Sequence, residues 1–252
     1  MASFVVLFGL AVFNKRVRII AAAAFSRELA PRIVAAALLV TVNWSSYVWA
    51  VAHDHVIETA LGYFMAPLLT MWLGVAVLKE KLNTAQKTTI SLAVVAIAIL
   101  TVGYGRLPFL ALLIAGSWAL YGLLKRQVPL SSLDSLTAEM MWLVVPAIVL
   151  AITQSSQKTS ITVRADGVHW VLVVFTGLIT VVPLWMFGYA AKRVPLTVLG
   201  PLQYSVPTIN FLLGWLAYNE ELDATRVVGF VFIWLALGVL AVDTYRRSSL
   251  RR

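Results

Sequence analysis

Two stretches decide the fold of this chain: ALGYFMAPLLTMWLGVAVLKEKL at residues 60–82 and PLTVLGPLQYSVPTINFLLGWLAYNEEL at residues 195–222. When the chain is shifted by 140 residues, residues 61–82 match their counterparts at five of 22 positions. The matches are Pro67 with Pro207, Leu73-Gly74 with Leu213-Gly214, Glu80 with Glu220 and Leu82 with Leu222, and Phe64 also meets Tyr204. A proline, a Leu-Gly pair and a glutamate kept in register on apolar runs indicate an internal repeat.

The apolar runs continue outward from both stretches. Of the 252 residues, 61% are apolar and 12% are charged, and the mean hydropathy is +0.88, whereas soluble domains have about 45–50% apolar and about 25% charged residues. This composition excludes a disordered, a fibrous or a soluble α/β protein, and the absence of a period of two disfavours a β-barrel. We expect an all-α, polytopic membrane protein. The nine predicted spans are 2–13, 33–52, 56–78, 86–103, 107–124, 137–153, 168–190, 194–217 and 227–243.

The repeat predicts the domain organisation. Under the 140-residue shift, spans six to nine (137–243) fall on spans one to four, whereas span five (107–124) falls before residue 1. We therefore expect two five-helix repeats, 1–103 and 104–252, with the first helix of the first repeat missing. The short first span agrees, because twelve residues reach about 18 Å across ~30 Å of hydrocarbon. An odd number of helices inverts one repeat relative to the other, which is a transporter architecture with a site near the midplane.

The basic residues predict the orientation in the membrane. The net charge is +9 and the isoelectric point is about 10. Sixteen Lys and Arg residues fall on one side of the predicted spans and four on the other. This asymmetry follows the positive-inside rule, so we expect a cell-membrane protein with a cytoplasmic C-terminus and no nucleic-acid partner. Cysteine is absent, which excludes disulfides and thiolate metal sites.

Several short motifs resemble one transporter family. The stretch at 60–82, its partner at 195–222 and FIWLALGVLAVD at 232–243 are similar to the EamA-type branch of the drug/metabolite transporters, within the RarD group of chloramphenicol-sensitive proteins. The resemblance also rests on Asn43-Trp44, Trp49-Ala50-Val51, Glu58, Leu61-Gly62-Tyr63-Phe64, Pro67-Leu68, Gln203-Tyr204 and Pro207-Thr208. It implies ten helices in two inverted repeats and export or exchange of small metabolites or drugs, without fixing a substrate.

Two prolines stand at matched positions of spans three and eight. Pro67 and Pro207 each remove an i→i−4 hydrogen bond and clash with the preceding turn. Freed carbonyls are tolerated in a membrane only where protein or a water-filled cavity satisfies them, so matched interruptions point to a transporter site. A kink that serves packing alone is the alternative, because proline is common in membrane helices.

Carboxylates at the ends of spans are candidates for ion coupling. Glu58 begins span three and Glu139 begins span six, where a carboxylate can bind a proton or a cationic group. His55, three residues before Glu58, is the third candidate. The alternative is structural, since an acidic residue in the first turn of a helix complements its dipole. The loop His53-Asp54-His55 is too small for a closed zinc site, and we expect a turn or a proton relay rather than a metal.

Polar and aromatic side chains inside the spans are candidates for substrate contact. A polar group in hydrocarbon must find a partner, either on another helix or on a ligand. Gln203 lies four residues before Pro207 and Asn210 three residues after it, so they share a helix face. Aromatic rings suit flat or cationic substrates, or else form the interfacial belt and the packing. The candidates for substrate binding are Asn43, Trp44, Glu58, Tyr63, Gln203, Tyr204 and Asn210.

The repeat-matched glutamates have a different predicted role. Glu80 and Glu220 follow the Leu-Gly pair of each stretch, and the family resemblance includes them. We expect both to hold the turn into the next helix, where Asn83 and Asp223 are the predicted N-caps.

The expected function is transport. No motif for nucleotide hydrolysis or for a serine, zinc or thiol active site occurs, so we expect neither an enzyme nor a cofactor. The expectation is a secondary active transporter of a small metabolite or drug, working by alternating access, with a link to chloramphenicol sensitivity from the resemblance. An intramembrane enzyme using Glu58, His53 and His55 and a non-transporting regulatory or decayed remnant are the alternatives. The expected partners are a small-molecule substrate, protons and the lipid bilayer, and the sequence does not indicate an oligomeric state.

Overall fold

The computed structural model describes residues 2–53, 55–104, 108–155, 167–218 and 224–249, and these residues form helices and connections without a strand among them. The helices are α1 (Ala2–Phe13), α2 (Val17–Ala24), α3 (Ala30–Ala52), α4 (Val56–Ala76), α5 (Thr84–Tyr104), α6 (Phe109–Gln127), α7 (Ser132–Ser155), α8 (Gly167–Arg193), α9 (Leu196–Leu202), α10 (Ser205–Tyr218) and α11 (Ala224–Ser249). The all-α prediction is confirmed.

Each predicted span coincides with a helix or, in one case, with two. Within the described ranges, five helical segments are long and apolar enough to cross a membrane. They are Ala30–Ala52, Glu58–Ala76, Phe109–Gln127, Ser132–Thr153 and Phe175–Arg193. Three further apolar helices are shorter: Ala2–Phe13, Thr84–Ile99 and Val227–Asp243. The number of nine spans, the inversion of the repeats and the missing first helix stay predictions.

Two local predictions need correction. The connection 14–32 contains an unpredicted helix, α2, whose Ile20, Ala23 and Ala24 are buried. Its eight residues are far fewer than the about 20 apolar residues of a membrane span, so hydropathy alone does not predict it. The predicted span 194–217 is two helices, α9 and α10, separated at Gln203 and Tyr204.

Helix boundaries follow the 140-residue shift. The helices α4 and α9 begin at Val56 and Leu196, and the helices α5 and α11 begin at Thr84 and Ala224. Packing groups the chain differently, into one unit of residues 1–38 with 124–193 and another of residues 39–123 with 194–252. Each compact unit therefore takes segments from both predicted repeats. The repeat boundary between 103 and 104 is a statement about sequence similarity and stays a prediction.

The first unit has a small apolar core. Ala11, Ile20, Ala24, Ile33, Val128 and Ala138 are buried together. Beside it, the Arg16 guanidinium donates hydrogen bonds to both carboxylate oxygens of Asp134, at 2.7 to 3.0 Å. The hydrogen bond to Asp134, and then its charge, raise the pKa of Arg16 above its ordinary value. This ion pair fixes the chain between α1 and α2 to the start of α7.

The second unit is built around the crossing of α4 and α9. Its core contains Phe64, Ala93, Ala96, Tyr204, Phe230 and Ile233. A Cβ atom on Gly200 would lie 2.6 Å from the Pro67 carbonyl oxygen and 2.7 Å from Met71 Cγ. Only glycine fits there, because real Cβ contacts do not come so close.

The outer face of α7 is apolar. Val145, Ile148, Val149 and Ile152 are exposed large hydrophobic residues spaced for one helix face. A stripe of this kind is unfavourable in water and suits the acyl chains of a bilayer.

Candidate substrate site

The interrupted helix of the second unit is the centre of the candidate site. Gln203 N–H donates to the Gly200 carbonyl at 2.9 Å and Tyr204 N–H to the Pro201 carbonyl at 3.0 Å, the tight i→i−3 pattern that ends a helix. Pro207, in the first turn of α10, lacks the N–H that would bond the Gln203 carbonyl. The interruption therefore lies one turn before Pro207.

The other proline of the pair does not interrupt its helix. Pro67 lies inside α4, which continues from Val56 to Ala76. The expectation of two matched interruptions is corrected to one, at Gln203–Tyr204. The difference follows from local sequence, because a second proline, Pro201, lies within α9 and further weakens that segment.

Gln203 is held by a residue of another helix. Trp118 of α6 donates its indole N–H to Gln203 Oε1 at 2.9 Å. An indole nitrogen only donates, so this bond fixes which end of the amide is the acceptor. Gln203 Nε2 is buried and has no hydrogen-bond partner among the described residues. The interruption thus presents a donor whose capacity is unused.

Tyr204 is the second polar group at the interruption. Its side chain is fully buried and packs with Phe64, Ala93 and Phe230. Its hydroxyl group also lacks a partner within the part of the chain that the structure describes. A buried polar group without a partner costs about 1–3 kcal/mol, so a ligand or an ordered water at these two positions is favoured.

Asn43 reaches the same turn of α6 as Gln203 does. Its Nδ2 donates to the Ile114 carbonyl at 2.8 Å and to Ser117 Oγ at 3.2 Å. Ser117 is adjacent to Trp118, so Asn43 and Gln203 are both attached to this turn. The contacts of Asn43 join helices, which is the commoner role of an asparagine in a membrane.

Further candidates for substrate contact are Tyr63, Trp44 and Asn210. Tyr63 packs its ring against Tyr47, with ring centroids 5.9 Å apart. Trp44 is about half exposed. The side chain of Asn210 lies outside the described part of the chain.

Glu58 is buried and serves as a cap. Its Oε2 accepts a hydrogen bond from the Leu110 N–H, in the first turn of α6, at 3.2 Å. Its Oε1 lies 3.4 Å from His55 Nδ1. The carboxylate therefore complements the dipole of α6, whereas the structural alternative concerned the dipole of α4, in whose first turn Glu58 lies. His53 stacks on Trp49 with ring centroids 4.4 Å apart, and Asp54 lies outside the described residues.

Glu139 is in the first unit, in a buried ion pair. Lys125 Nζ lies 2.8 Å from Glu139 Oε1, and both side chains are fully buried. Ser135 bridges them, accepting from Lys125 at 3.0 Å and donating to Glu139 at 2.9 Å. Such a pair is retained only when the partners satisfy one another.

Glu80 determines where α9 begins. Its two carboxylate oxygens accept the backbone N–H groups of Leu196 at 3.0 Å and Thr197 at 2.9 Å. A Cβ atom on Gly74 would lie 2.8 Å from Glu80 Oε2, so the glycine of the Leu-Gly pair provides the space. Glu80 thus acts across the unit on α9, and its predicted role in the turn into α5 stays a prediction. Glu220 and Asp223 lie outside the described residues.

Asn83 is the N-cap of α5, as predicted. Its Oδ1 accepts the Gln86 N–H at 2.8 Å, and Gln86 Oε1 accepts the Asn83 N–H at 2.9 Å. This reciprocal pair is a capping box, which satisfies two of the donors that a helix start leaves open.

Comparison with known proteins decides the family. The model of the EamA-like transporter family matches residues 106–242. A protein named RarD from Streptomyces exfoliatus is 44% identical, covering 86% of this chain and 70% of that protein. This chain belongs to the EamA-like transporter family. The sequence resemblance to its RarD group is confirmed, and the chain is a multi-pass membrane transporter.

Further relatives of this EamA-like transporter agree. RarD from Escherichia coli (strain K12) is 34% identical, covering 86% of this chain and 74% of that protein. An uncharacterized transporter from Pseudomonas aeruginosa is 38% identical, covering 87% and 73%. A solved crystal structure, 15% identical, has a TM-score of 0.54 over 95% of this chain and 96% of that chain, which shows a shared fold alone.

Sequence reasoning missed two partners in this EamA-like transporter. Trp118 was not among the candidates, although a tryptophan in the middle of a span needs an acceptor for its indole N–H. The position of Trp118 in the middle of a predicted span therefore indicates that it has a polar partner. Lys125 was counted only toward membrane orientation, and nothing in a single sequence indicates that it pairs with Glu139.

Proposed function

We propose that this EamA-like transporter is a secondary active carrier that moves a small metabolite or drug by alternating access. The observation that carries the proposal is the interruption at Gln203–Tyr204, where Trp118 orients an amide whose Nε2 has no partner among the described residues. Interrupted membrane helices with unused polar groups are typical of transporter sites.

The proposed binding site is centred on the interruption. Gln203 Nε2 donates a hydrogen bond to an acceptor atom of the substrate, and the Tyr204 hydroxyl contributes a second polar contact. Asn43 holds the turn of α6 that carries Trp118. The site is completed by Trp44, Glu58, Tyr63 and Asn210. Motion of the helices about Pro67 and Pro207 would open the site to one side of the membrane at a time.

An ion or substrate gradient drives transport in this proposal. The sequence contains no nucleotide-binding motif. Glu58 is the first candidate for carrying a coupling proton, because it is buried beside His55. Glu139 is the second, through its pair with Lys125. The sequence resemblance to the RarD group of chloramphenicol-sensitive proteins is the reason to include amphenicols among the substrates tested.

The test is ligand-induced thermal stabilisation of the purified chain. A panel of amphenicols, amino acids and other metabolites is added, and a true ligand at 100 times its Kd stabilises the fold by about 2.7 kcal/mol. The shift should be clearly smaller in Gln203→Ala, because the loss of one hydrogen bond weakens binding about 3- to 10-fold. The matched control is Gln127→Ala, since Gln127 is exposed at the end of α6.

The outcomes separate the possibilities. A shift of undiminished size in Gln203→Ala removes the interruption from the binding site. A folded protein that shows no shift with any compound, and no uptake of any compound in proteoliposomes, contradicts the carrier and favours the non-transporting alternative.

A further inference from the structure

The helix α2 is attached to the first unit by one face. Ile20, Ala23 and Ala24 are buried, and Trp142 of α7 donates its indole N–H to the Ala24 carbonyl at 3.0 Å. Just before α2, Arg16 is tied to Asp134 by its ion pair. The opposite face of α2 is therefore presented in a fixed orientation.

That opposite face carries exposed basic and apolar side chains. Arg18, Ala22 and Phe25 follow at spacings of four and three residues, which places them on one stripe. Ile19 lies beside the stripe. Phe25 is 62% exposed although one side of its ring packs against Trp142, with centroids 5.1 Å apart. Ile19 is 52% exposed, and Phe13, at the end of α1, is 84% exposed. These apolar side chains alternate with positive charge.

The charge of the segment is strongly one-sided. Between residues 14 and 32 the chain has five basic residues and one acidic residue, Glu28. Arg16 is occupied by Asp134, and the other four basic residues are exposed. They are Lys15, Arg18, Arg27 and Arg32. The segment runs into the first turn of α3, which begins at Ala30 and is long and apolar enough to cross a membrane, so it belongs to the boundary between membrane and water.

We propose that this region binds the headgroups of anionic phospholipids. The α2 surface consists of Phe13, Lys15, Arg18, Ile19, Phe25 and Arg27. The basic side chains pair with lipid phosphates, and the apolar side chains enter the region between headgroups and acyl chains. An acidic soluble partner would neutralise the basic side chains but would not provide an apolar environment for Phe13, Ile19 and Phe25. The α2 surface therefore favours lipid.

The test measures lipid binding by native mass spectrometry of the chain released from detergent micelles. Phosphatidylglycerol and phosphatidylcholine are titrated separately. We expect phosphatidylglycerol to bind more tightly, and the double variant Arg18→Gln/Arg27→Gln to lower its affinity about 30-fold, because each basic residue near an anionic surface contributes about 1 kcal/mol. The affinity for phosphatidylcholine should not change.

Two further variants make the result specific. Lys81→Gln/Lys87→Gln removes the same charge from exposed lysines of the second unit and should leave the phosphatidylglycerol affinity unchanged. Arg18→Lys/Arg27→Lys keeps the charge and should retain most of the binding. A melting temperature in phosphatidylcholine equal to that of the unmodified chain checks that each variant is folded.

Four results would overturn the proposal. The first is equal affinity for the two lipids, and the second is an equal loss of affinity in Lys81→Gln/Lys87→Gln. The third is complete displacement of phosphatidylglycerol by inorganic phosphate, which would make the region a site for free anions. The fourth is binding of polyglutamate that requires Arg18 and Arg27 while phosphatidylglycerol binding does not, which would indicate an acidic protein partner.

Discussion

Glu58 accepts a hydrogen bond from the Leu110 amide at 3.2 Å and lies 3.4 Å from His55 Nδ1. The first contact caps α6, and the second places the carboxylate beside the imidazole ring of His55. A glutamine at this position keeps an acceptor for the Leu110 N–H but cannot carry a proton. The Glu58→Gln variant therefore separates capping from coupling.

We expect Glu58→Gln to fold with a nearly unchanged melting temperature and to lose the dependence of transport on a pH gradient. The measurement is substrate uptake into proteoliposomes at a series of imposed pH gradients. Glu28→Gln, at an exposed position before α3, is the matched control and should behave like the unmodified chain. Unchanged pH dependence in Glu58→Gln would remove Glu58 from the coupling mechanism.

The buried pair of Lys125 and Glu139 gives the second prediction at this scale. Removing one partner leaves an uncompensated charge in the interior, so Lys125→Met or Glu139→Gln should lower the free energy of unfolding by about 3–5 kcal/mol. The double variant Lys125→Met/Glu139→Leu should recover most of that loss. Denaturant unfolding in detergent measures all three. A double variant as unstable as the single ones would show that the two charges do not compensate each other.

At the scale of elements, the interruption between α9 and α10 shows what a hydropathy argument omits. Apolar residues continue through 194–217, and so the pattern predicts a single span. The local sequence explains the interruption, because Pro207 cannot donate the i→i−4 hydrogen bond to the Gln203 carbonyl, which accepts from the Val206 N–H at 3.1 Å instead. Proline position locates an interruption more sharply than hydropathy does, although Pro67 shows that one proline alone does not end a helix.

The crossing of α4 and α9 predicts a strong effect of a single methyl group. Gly200→Ala would place Cβ 2.6 Å from the Pro67 carbonyl oxygen and should lower the free energy of unfolding by about 1–3 kcal/mol through overpacking. Gly116→Ala is the matched control, since a Cβ atom there meets nothing within 4 Å, and it should stabilise α6 by about 0.4–1 kcal/mol. Thermal unfolding of both variants is the measurement. Equal stability of the two would contradict the close approach.

At the scale of the whole molecule, the apolar composition predicts a membrane protein. The all-α class then follows, because a helix satisfies its own backbone hydrogen bonds in lipid. The family follows from motifs such as Gln203-Tyr204 and Pro207-Thr208. The pairings that build the site do not follow from sequence. Trp118 and Gln203 are 85 residues apart, and no helical or strand periodicity relates side chains at that separation. Charge counting placed Lys125 in a basic connection, whereas it lies buried in the last turn of α6, and it could not reveal Glu139 as its partner.

The central claim is that the interruption at Gln203–Tyr204 binds what this transporter carries. The most direct measurement is exchange of a radiolabelled ligand, identified by thermal stabilisation, across proteoliposomes that contain the chain. Gln127→Ala should exchange at the rate of the unmodified chain, and Gln203→Ala should exchange about 3- to 10-fold more slowly at limiting substrate, the effect of one lost hydrogen bond. Exchange by Gln203→Ala at the unmodified rate would contradict the claim.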